Sequence, residues 1–393
     1  MSGSNKYLLP TIISLVVLAQ AGVDLYLPSF PAIVETMHVP ASYIQGSLSI
    51  FLFSMAISQL FSGALSDAWG RRRVIVPAIL IYVLGSIACT LAPDIGLFMV
   101  GRILQGFAAG ACVVVARAVG RDAYDGEELA RVTVSLSVAW ALVPMIAPVV
   151  GGYVQEYAGW RLQFLILTLL GVGFYVLVSR CLPETRKGKA EAFELTAMVA
   201  SIGTLLRNRY YIGYSLVPAL LFSQTTAYMT VSPILFQNKM GLSPSAYGHV
   251  IMVTALFYLA GNFLNKRLIK RFPAQTLVRA GLYVCMAAAG ALLLFSALGV
   301  FNLWVIVIPF CVSYFASGIV FANSITLALT PFSERAGIAS ALLGCFQIMA
   351  GCGSSALMAL SFHSTQAPLA LYLVCCMAFA IVSVRLIVRP AEG

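Results

Sequence analysis

Apolar runs long enough to cross a bilayer follow one another along the whole chain. A hydrocarbon core takes about 20 helical residues at 1.5 Å rise. The pattern predicts twelve spans, at 8–34, 44–66, 74–93, 96–117, 132–154, 162–181, 210–236, 247–265, 276–298, 302–327, 336–360 and 367–388. The first run is too long for a secretion signal and lacks a small-residue cleavage site, so it reads as a retained span. The longest polar stretch, 183-PETRKGKAEAFELTAMVASIGTLLRNR-209, lies near the middle. It divides the chain into a first set of six spans over 1–182, a linker over 183–209 and a second set over 210–393. In the linker, Phe193, Leu195, Met198, Val199, Ile202, Leu205 and Leu206 recur at helical spacing, which predicts a short amphipathic surface helix.

The halves repeat each other at a displacement of 204 residues. Pro40-Ala41-Ser42-Tyr43 opens the second span and Pro244-Ser245-Ala246-Tyr247 the eighth, Arg131 pairs with Arg335, and Met145 with Met349. The expected fold is therefore all-α and membrane-embedded, with twelve transmembrane helices in two pseudo-symmetric six-helix bundles. Such repeats place a substrate site near the bilayer midplane.

Composition agrees, at 60% hydrophobic and only 10% charged residues. The net charge of +10 does not point to nucleic acid. Its distribution points to an orientation. Lys6, the connections after even-numbered spans and the C-terminal end together hold 21 of the 24 basic residues. Only Arg161 and Lys239 fall on the other side, and Arg102 lies within a span. By the positive-inside bias both termini are expected in the cytoplasm. Nine cysteines, nearly all inside spans and without C-x-x-C spacing, suggest packing and neither a metal site nor a disulfide framework.

Two charges stand out against this background. Asp24 is the one acid within about two dozen otherwise uncharged apolar residues, where a carboxylate costs roughly 3 kcal/mol on insertion scales. It reads as a proton or cation site facing a polar cavity. The competing reading puts it at the outer surface, with Pro28 and Pro31 marking the helix end. Arg102 is the second intramembrane charge. It either holds Asp24 in a chosen protonation state or anchors a polar network beside the proton path, unless it snorkels outward.

Three motifs add chemistry. In 63-GALSDAWGRRR-73, Gly63 and Gly70 permit close approach and a tight turn, while Asp67, Arg71 and Arg72 can form a charge latch that Asp122 of 117-RAVGRD-122 could join. In 102-RILQGFAAG-110, Gln105 can bond across helices, and Gly106 and Gly110 form a small-residue face. In 140-WALVPMIAPVVGG-152, Pro144 and Pro148 bend a helix, and Gly151 and Gly152 allow contact near its outer end.

These motifs resemble G-x-x-x-D-x-x-G-R-R, R-x-x-Q-G and G-P-x-x-G-G of the major facilitator superfamily, although Ala147 replaces the first glycine of the last. Pro183-Glu184-Thr185 after the sixth span fits the same group. The segment 22-GVDLYLPSFPAI-33, with Asp24 and Pro28 four apart, resembles the Bcr/CflA subgroup of drug:proton antiporters. The resemblance runs over the chain but concentrates in its first half; 266-KRLIKRF-272 lacks the acid of its counterpart, so two unequal latches are expected. It implies a monomeric antiporter of the bacterial inner membrane, exporting small amphipathic compounds such as chloramphenicol-like drugs against protons without a cofactor. A dedicated metabolite or siderophore exporter of the same fold is the alternative. Val16 and Val17 stand where some broad-range relatives carry a second deep acid, which counts against multiply charged cations.

The expected partners are a small-molecule substrate, protons and the lipid bilayer. Gln20, Tyr26, Trp140, Gln224, Tyr228, Tyr258, Asn262, Tyr314, Asn323 and Gln347 are candidate cavity residues, suited to neutral or weakly charged molecules. With His38, His249 and His363 all peripheral, no constellation for an enzyme forms.

Overall fold

The computed structural model describes residues 7–186, 202–361 and 365–387. The described chain is helical, without strands. Its helices are α1 (Leu8–Asp24), α2 (Phe30–Met37), α3 (Ala41–Trp69), α4 (Arg71–Leu91), α5 (Ile95–Ala123), α6 (Gly126–Ala158), α7 (Trp160–Cys181), α8 (Arg209–Ile234), α9 (Pro244–Leu268), α10 (Ala274–Ala297), α11 (Leu303–Leu329), α12 (Ala336–Ser361) and α13 (Ala367–Val382). Of the linker helix, Phe193, Leu195, Met198 and Val199 lie outside the described residues. Positions 202–207 are helical, and Leu205 is buried with Tyr211, Ala339 and Leu342.

Among the described residues, eleven segments are long and apolar enough to cross a membrane, and α1 with α2 counts as one of them, over Leu8–Met37. The one predicted span not among them is the seventh, α8. It has the length, 26 residues, but carries a run of hydroxyl and amide groups that lowers its apolarity. Thr226 bonds Ser354 at 2.7 Å and Thr230 bonds Ser355 at 2.8 Å, so these groups tie α8 to α12 inside the second unit. Several helices run longer than the predicted spans. Arg117, Arg121 and Asp122 lie on α5 and Arg131 on α6, each predicted at a loop or span edge. Pro144 and Pro148 both sit inside a continuous α6.

The chain forms two compact units, Met1–Phe193 with Ser243–Gly248, and Glu194–Leu242 with His249–Gly393. In the first, close packing depends on small residues. A Cβ on Gly85 would lie 2.7 Å from the Gly101 carbonyl, and one on Gly106 would lie 2.2 Å from the Phe51 carbonyl. Glycine lets α4 and α3 approach α5 this closely.

Candidate functional site

The first span is broken at Asp24. Pro28 has no N–H to return to the carbonyl four residues back, so the α-helical ladder stops at Asp24. A 3₁₀ turn over Leu27–Ser29 follows, and α2 resumes at Phe30 with Pro31 in its first turn. The prolines therefore interrupt the span and do not end it. Asp24 is 1% exposed, which excludes the surface reading, and its Oδ2 meets no hydrogen-bond partner. A bare carboxylate in such a place is costly unless a proton or cation joins it.

Arg102 of α5 is fully buried and makes no ion pair with Asp24 among the described residues. Its contacts run instead to the end of α1 and to Gln105. Its Nη1 donates to the Gly22 carbonyl at 2.9 Å and to Gln105 Oε1 at 2.7 Å. The Gly22 carbonyl belongs to the last turn of α1, where carbonyls lack helical partners and the helix end attracts a cation. The guanidinium also lies 4.2 Å from the Tyr26 ring centre and 4.4 Å from that of Phe51, contacts worth about 2 kcal/mol when desolvated. Gln105 passes the network on, donating to Ser86 at 2.8 Å.

Other residues brace the break. Tyr82 donates to the Leu18 carbonyl at 3.0 Å, and a Cβ on Gly22 would come within 2.5 Å of that hydroxyl. Tyr26 and Ser47 share a hydrogen bond of 3.1 Å. On the α6 side, a Cβ on Gly151 would lie 1.9 Å from the Leu25 carbonyl, so only glycine fits there without displacement. Gln163 of α7 donates to the Gly151 carbonyl at 2.7 Å and accepts from Ser29 at 2.8 Å, tying α6 to the turn. Sequence reasoning missed Gln163, Ser29, Tyr82 and Phe51. Only the proline pair hinted that something must hold a broken stretch.

At the α3–α4 turn, Arg71 is the hub. Its Nε donates to Asp122 Oδ2 at 2.8 Å, and its Nη1 reaches Asp67 and Ser66. Gly70 takes φ +104°, a left-handed backbone, and a side chain there would strike the Glu184 carboxylate. Glu184 accepts from the backbone N–H groups of Arg71 at 2.9 Å and Arg72 at 3.3 Å, an anion on the N-terminus of α4. Arg186 binds the Ala68 carbonyl at 2.6 Å, a cation at the C-terminus of α3. The Arg72 side chain turns away from the acids to the Ser179 carbonyl. Gly63 lies within α3 facing Val114, away from the turn. Glu184 and Arg186 thus join a charge network of which the sequence pattern showed only Asp67, Arg71, Arg72 and Asp122.

The candidate cavity residues divide. Gln20 and Tyr26 belong to the α1 region, while Trp140 stands apart beside Arg117, at 5.9 Å. In the second unit Gln224, Tyr228 and Tyr314 come together. Gln224 donates to Ser313 at 2.8 Å, and Tyr228 meets Tyr314 edge-on at 6.3 Å. Asn262 donates to the Tyr258 carbonyl one turn back on its own helix, while Asn323 donates to Asn265 and joins α11 to α9. Gln347 is half-buried on α12.

Residues 12–355 match the family model of the Major Facilitator Superfamily. The chain is 32% identical over 358 residues to the Bacillus subtilis (strain 168) protein described as uncharacterized MFS-type transporter YdgK, covering 90% of this chain and 89% of that one. It is 31% identical over 345 residues to multidrug resistance protein MdtL of Escherichia coli O81 (strain ED1a), covering 87% and 85%. A bicyclomycin resistance protein homolog of Haemophilus influenzae (strain ATCC 51907 / DSM 11121 / KW20 / Rd) is 26% identical over 363 residues, covering 92% and 91%. Among solved structures, an inward-facing bacterial homolog of the lysosomal transporter Spinster aligns with a TM-score of 0.73 at 16% identity, over 98% of each chain. The xylose transporter XylE of E. coli, partially occluded and inward open, aligns at 0.73 with 13% identity, over 96% of this chain and 97% of that one. At those identities the structural likeness shows the fold alone.

Proposed function

This chain belongs to the Major Facilitator Superfamily, a family of membrane transporters and not of enzymes, and from that premise we propose that it exports small amphipathic compounds in exchange for protons. The observation that carries the reading is Asp24, a carboxyl buried without a partner where the first span breaks. Such a group suits alternate occupation by a proton and by substrate, and broken helices recur at transporter sites. Arg102 holds the end of α1 in place beside it without neutralising it. The names of the relatives, multidrug and bicyclomycin resistance, support drug-like cargo. Chloramphenicol-like molecules fall within that class.

In this reading the protein is a monomer of the bacterial inner membrane with both termini cytoplasmic, working by alternating access. The network of Asp67, Arg71, Asp122 and Glu184 biases one conformational state, and Pro144, Pro148, Gly151 and Gly152 form the helix that bears on the break. Everted vesicles test the reading directly. An imposed inward-acid gradient should drive substrate accumulation with wild type and fail to do so with Asp24→Asn. Gradient-driven accumulation undiminished in Asp24→Asn would place coupling elsewhere.

A further inference from the structure

The registers of the two bundles can be matched through helix starts, caps and small-residue contacts. Pro40 and Pro244 precede or open α3 and α9 at a displacement of 204, and Gln20 and Gln224 match at the same displacement. On α5 and α11 the displacement is 208. There the side chains of Asp94 and Asn302 cap the first turns, each accepting from the N–H three residues on at 3.0 Å. Sixteen residues beyond the caps, Gly110 and Gly318 each press a helix on a neighbour's carbonyl. A Cβ would lie 2.4 Å from Met55 O in one and 2.3 Å from Tyr258 O in the other. In these registers Asp24 corresponds to Tyr228, and Arg102 to Phe310.

Where the first bundle carries a carboxyl and a guanidinium, the second therefore carries two rings. They stack with centroids 4.0 Å apart at 23°. Beyond residue 209 the chain has no Asp and only two Glu, Glu334 and Glu392, neither within a predicted span. One turn before Tyr228, Gln224 is buried with its Oε1 lacking a partner. It lines a recess of about 10 Å³ together with Pro309, Phe310 and Ser313. That is room for about one water-sized group. A buried acceptor left open beside stacked rings is costly in a purely structural core.

We propose that Gln224, Tyr228 and Phe310 form the recognition site of the second bundle for an uncharged planar ring bearing a hydrogen-bond donor. The ring stacks on Tyr228 or Phe310 in place of their mutual contact, and the donor reaches Gln224 Oε1. Charge exchange is left to Asp24. A cationic group has no carboxylate to meet within these spans and would be disfavoured. The proposal rests on the export reading for its role in transport, but the binding it specifies is separable from proton coupling.

The test is calorimetric binding of naphthalene-2-carboxamide and its decahydro analogue to the purified full-length protein, with vesicle efflux of the same pair. Both probes are neutral and carry the same donor, and only one is planar. Wild type should prefer the aromatic probe. Tyr228→Leu and Phe310→Leu should each weaken it about three- to tenfold and leave the saturated analogue unchanged, while Tyr228→Phe keeps the preference. Gln224→Leu should weaken both probes through the shared donor. Failure of wild type to prefer the ring, survival of the preference in Tyr228→Leu and Phe310→Leu, or equal loss of both probes in those two variants would each overturn the proposal. Aromatic preference with efflux indifferent to a pH gradient would instead sink the export reading and leave this site standing.

Discussion

Replacing Asp122 should disturb the latch more than replacing Asp67, although Asp67 is the acid of the recognisable motif. Both carboxylates meet Arg71, whose side chain is 8% exposed, but their surroundings differ. The Asp67 side chain is 65% exposed and that of Asp122 only 20%. An exposed ion pair contributes about 0.2–1 kcal/mol, because water and salt screen it. A hydrogen bond to a charged group away from water is worth about 1.5–3 kcal/mol. Asp122→Asn should then shift the latched-to-unlatched equilibrium by about tenfold or more, and Asp67→Asn by less than about fivefold. The assay is alkylation of single cysteines placed at the α3–α4 turn of a cysteine-free protein, read beside substrate affinity and maximal efflux. Combined with Arg71→Ala, the Asp122 change should add little further, since contacting residues are coupled. A larger shift from Asp67→Asn, or a large affinity loss with unchanged accessibility, would refute this account of the latch.

Two further outcomes follow from the same geometry. Gly151→Ala puts a methyl on the Leu25 carbonyl, a backbone atom that cannot swing aside, and should cost about 1–3 kcal/mol together with most efflux. Gly46→Ala, with nothing within 4 Å, should leave melting temperature and efflux unaltered; equal losses at both positions would contradict the packing argument. With Asp24 the sole acid inside the predicted spans, one proton should exchange per cycle, so one pH unit sustains about a tenfold gradient of a neutral substrate. Export of a neutral compound should then speed up with an inside-negative potential, at about 2.3 kcal/mol per 100 mV, and export of a monovalent cation should not. Flux measured under potassium–valinomycin clamps reads this, and a potential-independent neutral flux would exclude single-proton exchange.

Much of the fold is legible because a bilayer imposes one period and one length on every span, so apolar runs alone mark the helices. Asp24 and Arg102 are legible for the converse reason, since a charge in such a run is conspicuous. What holds them is not. Tyr26 reads as a cavity residue and Phe51 and Phe164 as ordinary apolar ones, and only folding brings the three rings within 4.2, 4.4 and 6.0 Å of the Arg102 guanidinium. Arg71 and Asp122, 51 positions apart, could be paired in advance because both lie in basic or acidic span-end motifs. Glu184, 113 positions from Arg71, binds backbone N–H groups, which leave no mark in a sequence. The seventh span is weak in hydropathy for a similar reason. Its hydroxyls look like exposure and instead meet partners on another helix of the same unit.

Proton release on substrate binding tests most directly whether Asp24 is the exchanging group. Isothermal titration of the purified protein, in buffers of different ionisation enthalpy at one pH, reads the number of protons released as substrate binds. Wild type should release up to one proton per substrate, with affinity weakening as pH falls because proton and substrate compete for one carboxyl. Asp24→Asn, which keeps the shape but has no proton to exchange, should bind without any buffer dependence. Buffer-independent binding to wild type, or unchanged proton release from Asp24→Asn, would contradict the assignment.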